Sequence, residues 1–574
     1  MMPSDELRVI FLGGVGEIGK NMCVLECGDD IVVIDAGLKF PENDMLGIDI
    51  VIPDYSYLAE NQDRIRGLVF THGHEDHVGG LPYLLRDVQV PRIYATPLTL
   101  GFIRAKLSEW DTLAPVDSQT VQAGDVVHLG CFTIEFIQVN HSTPDAVGLG
   151  IETPAGIVVH TGDFKIDHTP VDGRVFDAAR FTAYGDRGVL LLITDSTNAE
   201  KPGYVLSERT VGEKFRSIFS EAPGRVVVST FASNIHRAQQ VFDVSAQCGR
   251  KVCVDGRSMI RNVDVATELG YLKYDPGLRI DVGEVPGMDP RAVTILTTGS
   301  QGEPMSVLVR MSNDDHRYLT TEKDDTVILS ATPIPGNEAL IWRTVNNLYR
   351  QGARVIYSAI EAVHVSGHAN QEELKLMLSM VRPKYVVPFH GEPRHQWQYT
   401  RLAKSMGYAE DRILILSDYD VLTISERGAA ITEKIPGEPV FVDGEGVGDV
   451  GRAVLRDRRI LSDDGIVFVA ATIDDKTCTV ADGPVIETRG FVHVQDSGDL
   501  LEQAMDLVGD VVEGARDDED LDEIETRVKR ALQKLFREQT GRRPMVIPVL
   551  FAVDAPSATG DRISFAEAAD NDEE

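Results

Sequence analysis

Between residues 72 and 77 the chain reads His72-Gly-His74-Glu-Asp76-His77. Three imidazoles and a carboxylate within six residues are more than packing calls for. Neutral imidazole and carboxylate are ligands for zinc or a similar divalent cation. On a turn, alternate residues aim at one ion and the next pair at a second, with Glu75 facing solvent. The remaining donors must come from distant segments. His141 follows the apolar run Thr133–Val139, Asp163 lies in His160-Thr-Gly-Asp163-Phe-Lys, and His390 ends Tyr385–Phe389 in Phe-His-Gly-Glu. Each alone reads equally well as a buried polar residue with a local partner. Joined to the 72–77 cluster, they complete two sites of three protein ligands each, plus a shared bridge.

A second motif invites a different chemistry. Gly14-Val-Gly16-Glu-Ile-Gly19 matches G-x-G-x-x-G, and Gly14 to Lys20 matches most of a P-loop, with Asn21 in place of the Ser or Thr that holds Mg²⁺. Both motifs need a helix directly afterwards, so that its N-terminus meets phosphate. Met22–Glu26 reads as a strand instead, so the glycines predict a tight turn between strands.

The elements that must position these groups are short apolar strands: Arg8–Leu12, Met22–Glu26, Ile31–Ile34, Gly67–Thr71, Thr133–Val139, Gly156–His160 and Leu190–Thr194. Polar residues follow them (Asp35, His72, His141, Asp163, Asp195), as expected where loops at one end of a sheet share a cleft. From about Ser207 to Ala362, helical stretches alternate with strands at Arg225–Thr230, Lys251–Asp255, Val293–Thr297, Thr326–Ser330 and Arg354–Tyr357. That alternation predicts a parallel sheet covered by helices, inserted into the first domain. Gly437–Arg452 is glycine-rich and aperiodic and reads as linker. Strands at Ile466–Ile473 and Pro484–Val492, helices from about Leu500 and over Leu521–Phe536, and a strand at Met545–Val553 make a small α+β domain. The expected divisions are 1–206 and 363–436 for the first domain, 207–362 for the insertion, 437–463 for the linker, 464–556 for the last domain and 557–574 for a disordered acidic tail.

Composition restricts the possibilities further. The 574 residues are 43% hydrophobic and 25% charged, which excludes disorder, collagen or coiled coil as a description of the whole. Lys and Arg number 56 against 90 Asp and Glu, a net charge of −34. By charge alone this is no nucleic-acid binder. Charge must therefore be segregated for a polyanion to enter, with bases such as Lys165, Arg237 and Arg257 near the cleft. The six cysteines form no C-x-x-C pair, so a cysteine zinc site is not expected. Sparse thiols, no basic and apolar leader and no long apolar run predict a soluble cytoplasmic protein, not a membrane one.

His72-x-His74-x-Asp76-His77 with His141, Asp163 and His390 resembles the metallo-β-lactamase superfamily. The insertion, Asp195 and His364-Val-Ser366-Gly-His368 narrow the resemblance to the β-CASP nucleases. The last domain and Gly13 to Asn21 narrow it to the bacterial ribonuclease J family. The resemblance implies an α/β fold: an αββα sandwich with an inserted β-CASP domain and a small C-terminal domain that serves oligomerisation. It implies that His72, His74 and His141 hold one zinc, that Asp76, His77 and His390 hold another, and that Asp163 bridges them, with Mn²⁺ or Mg²⁺ as alternatives. Asp35 orients ligands, Asp195 supports the site, and His368 reaches the scissile phosphate. His364, Ser366 and, less directly, Ser233 form a pocket for a 5′ phosphate. The implied activity is RNA hydrolysis by hydroxide between two metals, both 5′-to-3′ exonucleolytic and endonucleolytic, in RNA maturation and decay. The implied partners are single-stranded, 5′-monophosphorylated RNA, a second or further copies in a dimer or tetramer, and an RNA-decay complex.

Three other readings stay open on sequence: a lactamase-like or thioester hydrolase, a DNA-processing β-CASP nuclease, and a catalytically dead scaffold. The first lacks the insertion and the 364–368 segment. Matched RNA and DNA strands separate the second, and metal analysis the third.

Overall fold

The computed structural model describes residues 6–110, 113–334, 336–474, 477–492, 497–516 and 519–553. The tail expected at 557–574 lies outside these residues. Contacts divide the chain into two compact units, one running through Asn43 and over Ile48–Gly448, the other comprising Asp44–Gly47 and the chain from Asp449 onward.

The first unit is built on two sheets packed face to face. One has eight strands in the order Gly428–Lys434, Asp420–Ser425, Leu7–Gly13, Met22–Cys27, Asp30–Ile34, Ile65–Val69, Ile93–Ala95 and Ser118–Thr120. The other has six: Tyr385–Phe389, Val189–Asp195, Gly156–His160, Val147–Thr153, Phe132–Gln138 and Val126–Leu129. Side chains alternate along a strand. Leu7, Val9 and Phe11 enter the core between the sheets, while Ile10 and Leu12 face a helix layer. Both faces are buried, so the strand reads as one apolar run. Leu81–Asp87 and Pro97–Leu107 cover the outer face of the first sheet. Ala178–Arg187, Gln371–Val381 and Pro393–Ser405 cover that of the second. The architecture is the αββα sandwich.

The insertion is a six-stranded sheet, parallel throughout, in the order Arg279–Ile280, Lys251–Asp255, Val293–Thr297, Val226–Ser229, Thr326–Leu329 and Arg354–Tyr357. Arg209–Glu221, Ile235–Gln247 and Arg257–Glu268 pack on one face, and Val307–Ser312 and Glu338–Arg350 on the other. In the second unit, Ile466–Asp474 pairs antiparallel with Thr479–Arg489 and parallel with Met545–Val553. Gly498–Glu513 and Leu521–Thr540 cover one face, with Ile524, Val528, Leu532 and Phe536 buried at helical spacing.

The segment 437–463 differs from the linker expected there. Val440–Asp443 pairs with Ile50–Ile52, and Arg452–Asp464 is a helix. No residue of that helix is buried, and its apolar Val454 and Leu461 are exposed. The strand expected from Pro484 begins at Thr479, because Gly483-Pro484 reads as a breaker while the ladder runs through it. Among the described residues no helix is long and apolar enough to cross a membrane.

Candidate metal centre

The strand ends bring the donors together. Asp35 and the 70–74 loop follow the neighbouring parallel strands Asp30–Ile34 and Ile65–Val69. The one-turn helix Glu75–Val78 then turns Asp76 and His77 back toward the sheet end. His141 and Asp163 follow strands of the facing sheet, and His390 follows Tyr385–Phe389. Ligand atoms of His72, His74 and His141 lie within 4.8 Å of one another, as do those of Asp76, His77, Asp163 and His390. Glu75 faces away, as the turn predicts, and pairs with Lys106 at 2.7 Å.

Asp163 Oδ2 lies 3.2 Å from His77 Nε2, 3.5 Å from His390 Nε2, 3.8 Å from His72 Nε2 and 3.9 Å from His141 Nε2. Both its oxygens are buried without a hydrogen bond, and so is His72 Nε2. A buried carboxylate left so costs several kcal/mol, and a cation at this point removes that cost. Burial opposes ionisation of Asp163, but His390 and His77 outweigh it and hold its carboxyl well below the ordinary range. Burial and neighbouring imidazoles hold His72 and His141 well below the usual histidine range. Burial likewise brings His74 down to about 4, against the pull of Asp76. His77 differs: burial opposes its protonation, but Asp163, Asp76 and Asp35 outweigh it and lift the ring well above the usual histidine range. An ionised carboxylate beside three imidazoles kept neutral, and a fourth onto which carboxylates draw positive charge, is a donor set that fits divalent metal.

The opposite ring nitrogens are tied down. His77 Nδ1 lies 2.8 Å from Asp35 Oδ2, and Thr71 donates to both Asp35 oxygens at 2.8 Å. His141 Nδ1 donates to Gly367 O at 2.8 Å. His390 Nδ1 lies 2.9 Å from Asn21 Oδ1. Asp35 and His390 both hold positive φ, 63° and 52°, conformations that cost free energy and cluster at functional sites.

His368 stands at the rim. Its Nδ1 is 2.8 Å from Asp195 Oδ2 and 3.8 Å from Asp163 Oδ2. Burial opposes its protonation, but Asp195 and Asp163 lift it to about 9. Asp195 is itself fixed by the Thr197 N–H at 2.9 Å. Ser366 Oγ accepts from Asn198 Nδ2 at 2.8 Å and from the His368 N–H at 3.2 Å, so 366 and 368 form one hydrogen-bonded turn. His364 Nδ1 is buried without a partner, and burial, then Arg237, bring its pKa down to about 3. Ser233 lies in the turn that leads into Ile235–Gln247.

One of the bases expected to face a polyanion is committed elsewhere. Arg237 is fully buried and bound to Glu208, Ser330 and the Val363 carbonyl. Lys165 is 2% exposed, its Nζ 3.8 Å from Glu208 and without a hydrogen bond. Burying a guanidinium demands a carboxylate beside it, so Arg237 braces the insertion against the 363–368 segment. Arg257 is exposed. Asn21, Thr71 and Asn198 escaped the sequence reading as site residues. Only Asn21 carried a signal, as the residue that broke the P-loop pattern.

Family profiles match along the chain: the metallo-beta-lactamase superfamily over residues 15–195, the ribonuclease J beta-CASP domain over 223–348, the Zn-dependent metallo-hydrolase RNA specificity domain over 352–414, and the ribonuclease J C-terminal domain over 453–553. The chain is 42% identical over 552 residues to Ribonuclease J 1 of Streptococcus pyogenes, covering 96% of this chain and 98% of that one. It is 42% identical over 552 residues to Ribonuclease J2 of Bacillus subtilis, covering 96% and 99%. It is 42% identical over 560 residues to Ribonuclease J of Thermus thermophilus, covering 96% of each. A solved structure of a protein of unknown function from Enterococcus faecalis shares the fold, with a TM-score of 0.51 at 16% identity, over 76% of this chain and all of that one. With its donors gathered at one end of the sandwich and these matches running along its length, the chain belongs to the ribonuclease J family of metal-dependent ribonucleases.

Proposed function

We propose that the chain hydrolyses single-stranded RNA with two Zn²⁺ ions per subunit, Mn²⁺ or Mg²⁺ being able to substitute in activity. His72, His74 and His141 would hold one ion, Asp76, His77 and His390 the other, and Asp163 both. The observation that supports this reading is the buried Asp163 carboxylate, ringed by imidazoles but with neither oxygen in a hydrogen bond, where two groups of donors converge. When bound, such an ion pair lowers the pKa of a water toward 7 and neutralises the phosphoryl oxygens in an in-line displacement. The chain's own groups do the rest. Asp35 would fix His77 in the tautomer that leaves Nε2 unprotonated. As the new oxygen–phosphorus bond forms and the bond to the leaving oxygen breaks, His368, held by Asp195, donates the proton the leaving oxygen needs. His364, Ser366 and Ser233 would grip a 5′ monophosphate, placing the first linkage at the metals for 5′-to-3′ removal of nucleotides. RNA threading past that grip would be cut internally.

The low density of cysteine, six in 574 residues, fits a reducing cytoplasm. The C-terminal unit would join copies into a dimer or tetramer, and an RNA-decay complex would be its setting. Digestion of matched 5′-monophosphorylated and 5′-triphosphorylated RNA tests the reading. Mononucleotides released from the monophosphorylated strand alone are expected, and equal release from both would refute the 5′ grip.

A further inference from the structure

The glycine motif that imitates a nucleotide loop has a different use. Gly14, Gly16 and Gly19 take positive φ, and strand Met22–Cys27 follows at once, so no helix N-terminus is presented. The turn instead wraps both halves of the second donor group. The His390 N–H donates to the Gly14 carbonyl at 2.6 Å. The Asn21 N–H donates to the Asp76 carbonyl at 3.0 Å, and the Gly37 N–H to the Asn21 carbonyl at 2.9 Å. A Cβ on Gly14 would stand 2.4 Å from Asn21 Oδ1, so a residue without a side chain is required where the backbone crosses that amide.

The orientation of the Asn21 carboxamide follows from its surroundings. Its Nδ2 lies 3.1 Å from the Asp76 carbonyl oxygen, which can only accept, and 3.1 Å from His77 Nε2. The oxygen must then face His390, 2.9 Å from Nδ1. An oxygen there demands the proton on Nδ1 and leaves the Nε2 lone pair directed at Asp76 and Asp163, 3.4 and 3.5 Å away.

We propose that Asn21 is a positioning residue for the metal centre. Through one buried amide it selects the ligating tautomer of His390 and ties that histidine to the Asp76–His77 turn. Asp35 serves His77 in the same way, and Asn21 has no partner in the His72, His74 and His141 group. The proposal rests on the two-ion reading, and the test separates the two. The full-length protein is stripped with a chelator and titrated with Zn²⁺ in competition with a chromophoric chelator. Wild type binding any number of ions other than two would overturn the two-ion reading, whatever Asn21 does. Asn21→Leu keeps the shape and loses the acceptor. It is expected to weaken one of the two ions ~10–100-fold, the usual effect of removing such a partner, and to lower kcat with KM for RNA unchanged. Asn21→Asp keeps an oxygen for His390 but loses the donor to the Asp76 carbonyl, so it should weaken that ion less than Asn21→Leu does. In a His390→Ala background, Asn21→Leu should cost no further affinity. Unchanged affinities in Asn21→Leu, or an equal added loss in the His390→Ala background, would overturn the proposal. Melting of the stripped proteins checks folding. If Asn21→Leu fails to fold, Asn21→Ala decides: one ion weakened supports the role, and two ions held as tightly as in wild type refute it.

Discussion

Asp163 and His368 divide the work of the site. Asp163 is buried among four imidazoles, whereas His368 is partly exposed and leans on a carboxylate of its own. His368→Ala is therefore expected to keep both ions and lose turnover by about 10²–10⁴-fold, the usual range for a proton donor. Asp76→Ala should lose activity together with one ion. Metal analysis beside single-turnover rates distinguishes the two outcomes. A different carboxylate bears on stability. Asp145 is 5% exposed, accepts the Leu98 N–H at 2.9 Å, and has its other oxygen unpartnered. Burial raises it from 3.8 to about 6. An acid raised in the folded state gives stability below its unfolded value and loses it as pH climbs through the folded one. Asp145→Asn should thus match wild type near pH 3.8 and exceed it by up to ~3 kcal/mol at pH 7, read from denaturant midpoints. A difference that does not change with pH would refute this.

At the scale of elements, the site depends on turns packed backbone to backbone. A Cβ on Gly37 would lie 1.7 Å from the Asp76 carbonyl oxygen and 2.7 Å from the Asn21 nitrogen. Gly37→Ala must push the Asp76 turn away from the strand end. It should cost ~1–3 kcal/mol and lower metal affinity, measured by melting and Zn²⁺ competition. Unaltered metal affinity would mean the turn relaxes freely. Elements with a local signature were legible beforehand: Leu7–Gly13 by its apolar run, Leu521–Thr540 by Leu521, Ile524, Val528, Leu532 and Leu535 at helical spacing, of which Ile524, Val528 and Leu532 are buried. Elements whose signature lies elsewhere were not. The helix Arg452–Asp464 buries nothing, and Val440–Asp443 becomes a strand only because Ile50–Ile52 lies beside it.

Over the whole molecule, the net charge of −34 must coexist with a polyanionic substrate. If phosphate contacts hold RNA, affinity should fall steeply with added salt; a flat dependence would place binding elsewhere. The division of the chain near Gly448 bears on assembly. Truncation after Arg452 should keep the metal content of the full chain, because every donor lies before it, while the mass in solution drops to a smaller assembly. Undiminished stoichiometry would exclude the C-terminal unit as the joint. By itself the amino-acid sequence determined the kinds of donor, the dense 72–77 segment, the strand-ending positions of the others and the order of domains, since these follow from residue chemistry and local periodicity. Only the tertiary structure decided that Arg237 is an internal brace and that Asn21 meets a histidine 369 residues away. Those are matters of sheet register and of loops converging in space, which spacing along a chain does not encode.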